Sequence, residues 1–482
     1  MIRRAGSATT GRAASGPAAR GLARSVLLRA VTIVAALGLP IGAFGSFATA
    51  ATAAVTPVLT EPTVADATWQ GGVGALIVEH CGECHRPGGG APMALLSWDQ
   101  SRPWARAIAR EVDSGAMPPW HADPRYGVFA NDRRLSEAQR RLLLAWAARG
   151  APLGEDDGLP ASGFVPDEDP ADTGVAPAGS QWRIGEPDLV FELPEEVVVP
   201  ARGEVPYHDY VIDPGFTEDV WVRAAEAQPG NPAVVHHIIV DYQISNPLRR
   251  RQLARQGLEA RVQGSLGGYV PGDEPMVLPQ GLARRIPAGA RLHFQMHYTP
   301  SGSEQRDRSR VGLVLAEGPP RHEVRTGIAS SPFISIPPGS AETSLSAEHV
   351  FRRDSVLLSM RPHMHLRGKR FEYRAHFPDG SEEILLLVPD YDFDWQTRYV
   401  LAEPKRLPAG TRLVCTGTWD NSDANPDNPD PTRRVSWGQQ TSDEMMIGFF
   451  EYYEEGAEGS GAEGAGGQKG SGVRGQGLGI RD

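Results

Sequence analysis

The chain has 482 residues, of which 40% are apolar and 7% aromatic, with 55 glycines, 41 prolines and a formal net charge of −11. That length accommodates about three domains, and the Gly and Pro content favours a loop-rich β body over a helical one. The negative charge argues against a nucleic-acid partner and is suited to solubility and to contact with basic partners.

Residues 1–53 read as an export signal. Arg3, Arg4, Arg12, Arg20, Arg24 and Arg29 precede an apolar stretch from Ala30 to Phe47, and Ala48-Thr49-Ala50 and Ala51-Thr52-Ala53 offer small-residue cleavage sites. Gly38, Pro40, Gly42 and Gly45 interrupt the apolar stretch, which is short for a membrane span, and no later segment is long and apolar enough to cross. The expected location is periplasmic or secreted, with no membrane span after cleavage.

Residues 68–156 read as a small helical domain. Its last helix is marked by Ser136 with Gln139 three residues on, a capping box, by Leu135, Ala138, Leu142 and Trp146 at helical spacing, and by Gly150 and Pro152 at its end. Within it, Cys81-Gly82-Glu83-Cys84-His85 places two thiols and an imidazole at the spacing of covalent c-type haem attachment. A zinc site would need further Cys or His ligands nearby, and the chain's third cysteine, Cys415, is far away. With two of three cysteines so used, no disulfide framework is expected. For the sixth iron ligand, Met117 in Gly115-Ala116-Met117-Pro118-Pro119-Trp120 is favoured because the two prolines stiffen the loop; Met93, His121 and His80 are the rivals.

Residues 157–185 are rich in Asp, Glu, Pro, Gly and Ala and read as a linker. The sequence then changes to short β-type runs such as Val234–Val240, Leu292–Thr299, Phe371–Phe377, Glu383–Val388 and Arg412–Trp419, separated by turn signals. Two antiparallel β-sandwiches of the jelly-roll kind are expected, over 186–328 and 329–454. Residues 455–482 form a Gly-rich tail without apolar residues enough for a core.

Ten of the thirteen histidines follow the linker. His363 and His365 are two apart, so on a strand both rings face one side and reach one metal. His236 and His237 are adjacent, and on a regular strand they point to opposite faces; joint chelation requires a bulge or a strand end. Otherwise the pair is core packing, or one ligand and one structural ring.

Residues 68–156 resemble a class I-like cytochrome c domain, in which a Met-Pro-Pro loop supplies the distal ligand; this implies Met117. Residues Pro187–Tyr453 resemble the copper type II, ascorbate-dependent monooxygenase family, which includes peptidylglycine α-hydroxylating monooxygenase and dopamine β-monooxygenase. Four motifs occur in the family's order: His236-His237, His297-Tyr298, His363-Met364-His365, and Met445 after Asp443-Glu444. The resemblance implies one copper held by His236, His237 and His297 and a second held by His363, His365 and Met445, with His293 as a supporting residue. The thioether would favour Cu(I) at the oxygen-binding site. His208, His322, His349 and His376 have no motif support and read as surface or structural. Two features depart from the family. The chain can build none of the disulfides that brace animal members, and Met446, Ile447, Gly448 and Phe449 carry no polar side-chain contacts where peptide-hydroxylating members do. Arg361 matches the family's basic residue two before His-X-His, but the apolar run points to a less polar substrate.

These readings imply an exported enzyme carrying one haem and two coppers. It would hydroxylate a small-molecule or peptide C–H bond with O2, with electrons relayed from an external donor through its own haem. The alternatives are a non-catalytic haem and copper electron carrier or copper-binding protein, and a carbohydrate- or peptide-binding module with incidental histidines.

Overall fold

The computed structural model describes residues 67–86, 91–155, 182–203, 205–244, 247–248, 251, 263–270 and 274–456. The export signal, most of the linker and nearly all of the tail lie outside the described residues.

Strands dominate. Among the described residues three helices run to eight residues or more: Gly74–Cys81, Ala105–Ser114 and Glu137–Ala148. The Glu137–Ala148 helix begins at the capping box, in which the Ser136 hydroxyl accepts from the Gln139 amide and the Gln139 side chain accepts from the Ser136 amide. It buries Leu142, Leu143 and Trp146 against Trp69, Val73, Leu76 and Ile77.

A separate all-α cytochrome c-like domain followed by two independent sandwiches is not what the chain forms. Among the described residues the helices are few and short, and all of these residues fall within one compact unit. The physical reason lies in the stretch after Met117. Instead of closing over the helices, it sends Trp120, Ala122 and Phe129 into the β core, where the Trp120 ring meets Phe129 at 5.9 Å and Tyr399 at 5.0 Å. Backbone bonds continue the seam: the Asp123 N–H donates to the Leu387 carbonyl at 2.8 Å and that of Ala130 to Val400 at 2.8 Å.

The β part comprises four principal sheets. One is ordered His208–Ile212, Ala290–Tyr298, Val235–Ile244, Gln263–Tyr269. A six-stranded sheet runs Leu189–Glu192, Arg310–Leu315, Val220–Gln228, Leu282–Ile286, His322–Glu323, with Met276–Val277 added beside Val220–Gln228. The alternating apolar positions of these two sheets supply one continuous core that includes Leu266, Phe294, Met296 and Leu313. The third sheet runs Arg325–Ser330, Ile447–Glu454, Ser355–His363, Tyr399–Leu407, and the fourth Thr343–Val350, Arg412–Trp419, Gly368–His376, Glu382–Val388. They share a second core, built on Met360, Phe371, Tyr373, Trp419 and Phe450. Cys415 is fully buried in that core, and burial pushes its thiol far above the ordinary range. Gly448 is required opposite it, because a Cβ there would lie 2.4 Å from the Cys415 Sγ.

Candidate metal centres

The first cluster arises from a local irregularity. In the pairing of Val235–Ile244 with Ala290–Tyr298 the register slips between Val235 and His237, and His237 then stands opposite His297. This bulge turns both adjacent rings to one side, which a regular strand cannot do. The approach to it is fixed: the Asn231 carbonyl accepts from the Val234 and Val235 amides, and the Asp307 carboxylate takes the Asn231 amide at 2.9 Å and the buried Tyr298 hydroxyl at 2.9 Å. The Nδ1 atoms of His236 and His237 are 3.4 Å apart, and those of His297 and His236 are 3.2 Å apart. Among the described residues this is the one set of three His, Cys, Asp or Glu side chains whose ligand atoms all lie within 4.8 Å of one another. A neutral imidazole has a single N–H, so three converging Nδ1 atoms cannot all satisfy one another, whereas a cation accepts three lone pairs. The donor set therefore fits copper.

Burial keeps these rings neutral. His297 is lowered to about 4 by burial and by its neighbour His236, and His237 is held well below its ordinary value by burial, with His297, His236 and His363 adding to it. The sign of the pH effect follows. Between about 4 and the ordinary value of 6.5, the unfolded chain binds protons that the folded rings refuse, so folding stability falls as pH drops through that window. Metal-free protein is expected to lose urea resistance from pH 6.5 to 4. Copper-loaded protein should keep it until the metal is released, as followed by denaturation midpoints at stepped pH.

The second pair is placed differently. His363 closes the Ser355–His363 strand and His365 lies just beyond it, with ring centroids 5.3 Å apart and planes at 88°. The Nδ1 of His363 meets Gln396 Oε1 at 2.6 Å, and that of His365 meets the Asp443 carbonyl at 3.3 Å. With both Nδ1 atoms tied back as donors, the Nε2 atoms are left as lone-pair donors to a metal. Burial, first of all, lowers His363 to about 4 and also lowers His365. Glu444, the neighbour of Met445, ties that segment to the His365 turn. Fully buried, its carboxylate accepts from the His365 amide at 2.9 Å, the Arg367 amide at 2.7 Å and the Trp419 indole at 2.9 Å, and burial pushes its carboxyl up to about 7.

Both clusters open on one cavity of about 320 Å³, lined by His236, His237, His363, His365 and Met445. The His297 ring packs on His236 at 4.7 Å. Phe393 sits at the junction, stacked on His236 at 6.4 Å and edge-on to His365 at 6.1 Å. The lining also includes the apolar Ile238, Ile239, Met276, Ile447 and Phe449 and the polar Ser359, Arg361, Arg398 and Glu451. Phe393 and Gln396 carry no motif in the sequence beyond the acidic-aromatic run Asp390–Gln396, and Glu444 is visible there only as the neighbour of Met445.

His293 lies on the same strand as His297, but its Nε2 pairs with Asp209 at 3.1 Å. His208 packs on Tyr298, His322 stacks on Tyr453, His349 sits among Phe351, Phe450 and Tyr452, and His376 pairs with Glu382.

Cys81 ends the Gly74–Cys81 helix, and Cys84 and His85 follow in the turn, where the His85 amide donates to the Cys81 carbonyl at 2.9 Å. Burial pushes the Cys81 thiol up to about 12. His85 Nδ1 meets the Met93 carbonyl at 3.2 Å, which commits that nitrogen and leaves Nε2 for a metal. Two thiols in adjacent turns beside such an imidazole fit a covalent haem. Met117 follows the Ala105–Ser114 helix, its amide bonded to the Glu111 carbonyl at 3.1 Å, and among the described residues no hydrogen bond joins it to His85. Of the rivals, His80 meets Gln139 at 3.3 Å, and burial lowers the His121 imidazole below its ordinary value.

No family model matches the chain. Its sequence is similar to DBH-like monooxygenase protein 1 of Gallus gallus, at 29% identity over 150 residues, which is 27% of this chain and 22% of that protein. The chain thus spans under a quarter of that relative's length. Among solved structures, it aligns with the infectious bursal disease virus VP2 subviral particle over 57% of this chain and 74% of that one, at 10% identity and TM-score 0.18. It also aligns with the turret protein A223 of Sulfolobus turreted icosahedral virus over 55% of this chain and 98% of that one, at 9% identity and TM-score 0.13. Scores this low carry no argument.

Proposed function

We propose that this protein is an exported, copper-dependent monooxygenase that hydroxylates a C–H bond of an organic substrate with O2. The observation that carries this reading is the pairing of two nitrogen clusters on one cavity, one with three converging Nδ1 atoms, the other with both Nδ1 atoms tied back. The partial match to a protein named as a monooxygenase supports it. His236, His237 and His297 would hold one copper; His363, His365 and Met445 would hold the other. Bound copper would supply one-electron storage at the first and activation of dioxygen at the second, where the thioether favours Cu(I). The balance is R–H + O2 + two electrons + two protons to R–OH + water.

The chain's own residues prepare this chemistry. Burial keeps the imidazoles neutral and ready to bind metal. Gln396 and the Asp443 carbonyl fix the ring orientations of His363 and His365. Phe393, Ile447 and Phe449 limit water at the reacting end and receive the less polar part of a substrate, whether small molecule or peptide. Cys81, Cys84 and His85, with Met117 as the axial partner, would carry a covalent haem, whose chemistry is delivery of single electrons from an external donor.

The test begins with metal analysis of purified full-length protein, where two coppers and one iron per chain are expected. Oxygen uptake is then measured against a panel of apolar and amphipathic substrates, with labelled O2 and mass analysis of products. Incorporation of one labelled oxygen supports the proposal. Copper binding and haem cycling without substrate-dependent uptake would reduce the protein to a carrier.

A further inference from the structure

One loop serves both histidine clusters. Residues 389–398 join the Glu382–Val388 strand to the Tyr399–Leu407 strand, and each of these strands ends the order of its sheet. Three side chains of the loop reach the candidate ligands. The Tyr391 hydroxyl accepts from the Met364 amide at 3.0 Å and donates to the Met364 carbonyl at 2.9 Å, between His363 and His365. Phe393 packs on His236 and His365, and Gln396 meets His363 Nδ1 at 2.6 Å. Such supporting groups orient a ligand only as well as they are themselves held.

Both stems of the loop are edge strands, whose outward N–H and C=O groups need partners. Residues 123–131, from the segment that follows Met117, supply them. On the first stem the Asp123 amide donates to the Leu387 carbonyl at 2.8 Å. Gly127, with φ of 73°, lies so near the Leu385 carbonyl that a Cβ there would come to 2.6 Å from it. On the second stem the Ala402 amide donates to the Val128 carbonyl at 2.9 Å, and the Ala130 amide to the Val400 carbonyl at 2.8 Å. Asn131 then extends this pairing with its side chain. Its Nδ2 donates to the Arg398 carbonyl at 2.7 Å, and its Oδ1 accepts from the Val400 amide at 3.0 Å. A carboxamide offers the donor and acceptor of a peptide group, so it can take the place of a further strand residue.

The structure assigns Asn131 as a positioning residue for the copper site of His363, His365 and Met445. By pinning the loop at Arg398 it holds Gln396 against the His363 ring, so a segment from the cysteine-bearing part of the chain keeps a ligand of the second site in orientation. This assignment rests on the copper reading proposed above.

The experiment uses the full exported chain with Asn131→Ala and, separately, Asn131→Asp. The latter keeps the shape and the acceptor for the Val400 amide but loses the donor to Arg398. Copper occupancy is measured at stepped free copper, and hydrogen exchange is measured on the metal-free protein. In both variants the affinity of the His363 site should fall roughly threefold to tenfold, the scale of one net hydrogen bond, while the three-histidine site keeps its copper. Amides of residues 389–398 should exchange faster, and those of the Gly368–His376 strand should not. Combined with Gln396→Leu, Asn131→Ala should add no further loss, because both act through the same contact on His363. Equal loss of both coppers, an undiminished extra loss in the Gln396→Leu background, or parent-like copper binding and exchange would overturn the assignment and leave the copper reading standing. A parent chain that binds fewer than two coppers would overturn that reading instead, and faster exchange of 389–398 in the variants would still support the hold of Asn131 on the loop.

Discussion

Replacing His363 by Ala is expected to remove one of two coppers and to lower substrate-dependent oxygen uptake by well over a hundredfold. The ring is one of two imidazoles at the Met445-bearing end of the cavity, and a thioether with a single imidazole is a poor anchor for copper. Loss of a supporting partner alone typically costs about 10–100-fold in metal affinity or activity, which sets the lower bound for loss of a ligand. Gln396→Leu supplies that comparison, because it removes the 2.6 Å contact on His363 Nδ1 and leaves the ring in place. It should fall in the 10–100-fold range, and added copper should partly restore it. In both variants the His236, His237 and His297 set should retain its copper, seen by element analysis and by spectroscopy of the oxidised protein. Full turnover by His363→Ala with one copper per chain would assign oxygen chemistry elsewhere and remove the main support for the monooxygenase reading.

Local features were legible in the sequence where local physics sets them. Ser136 and Gln139 announce a helix start by their own spacing, and the structure contains both reciprocal bonds. The Glu383–Val388 and Arg412–Trp419 runs are apolar and β-branched enough to read as strands, and they pair with Gly368–His376 in the fourth sheet. The histidines could be found, but not the device that makes His236 and His237 neighbours in function. The register slip belongs to the pairing with Ala290–Tyr298, and nothing within Val234–Val240 specifies it. The roles of Glu444, Phe393 and Gln396 were hidden for the same reason: the residues they act on, His365, His236 and His363, stand 28 to 157 positions away. The all-α domain was misjudged because Met117-Pro118-Pro119-Trp120 reads as a self-contained loop. An aromatic side chain does not advertise which core it joins, and Trp120 joins the β core.

The largest effect on stability is expected at Arg284. This guanidinium is 1% exposed and ties three strands together. Its Nη2 donates to Glu451 Oε1 at 2.6 Å, and its Nη1 to Thr326 Oγ1 at 2.6 Å and to the Ser265 carbonyl. Burial alone would raise the Glu451 carboxyl; Arg284, Arg398 and the Ser359 hydroxyl, with Arg361, hold it at about 2 instead. Arg284→Met removes the nearest cation and leaves a buried carboxylate with weaker support, Arg398 at 3.4 Å. Breaking such a pair typically costs about 3–5 kcal/mol, against near neutrality when both partners are replaced by apolar groups. The urea midpoint at pH 7 should drop accordingly. The pH profile carries the sign. A carboxyl held at about 2 when folded, against an ordinary 4.5, contributes stability that is complete above 4.5 and lost as pH falls toward 2. In Arg284→Met the folded carboxyl rises, and acid unfolding should begin at higher pH than in the parent. Glu451 and Ser359 line the cavity, so the variant should also turn over more slowly with both coppers bound. Unchanged urea and acid midpoints would mean that these charges sit on the cavity wall without holding the two core-bearing sheet pairs together.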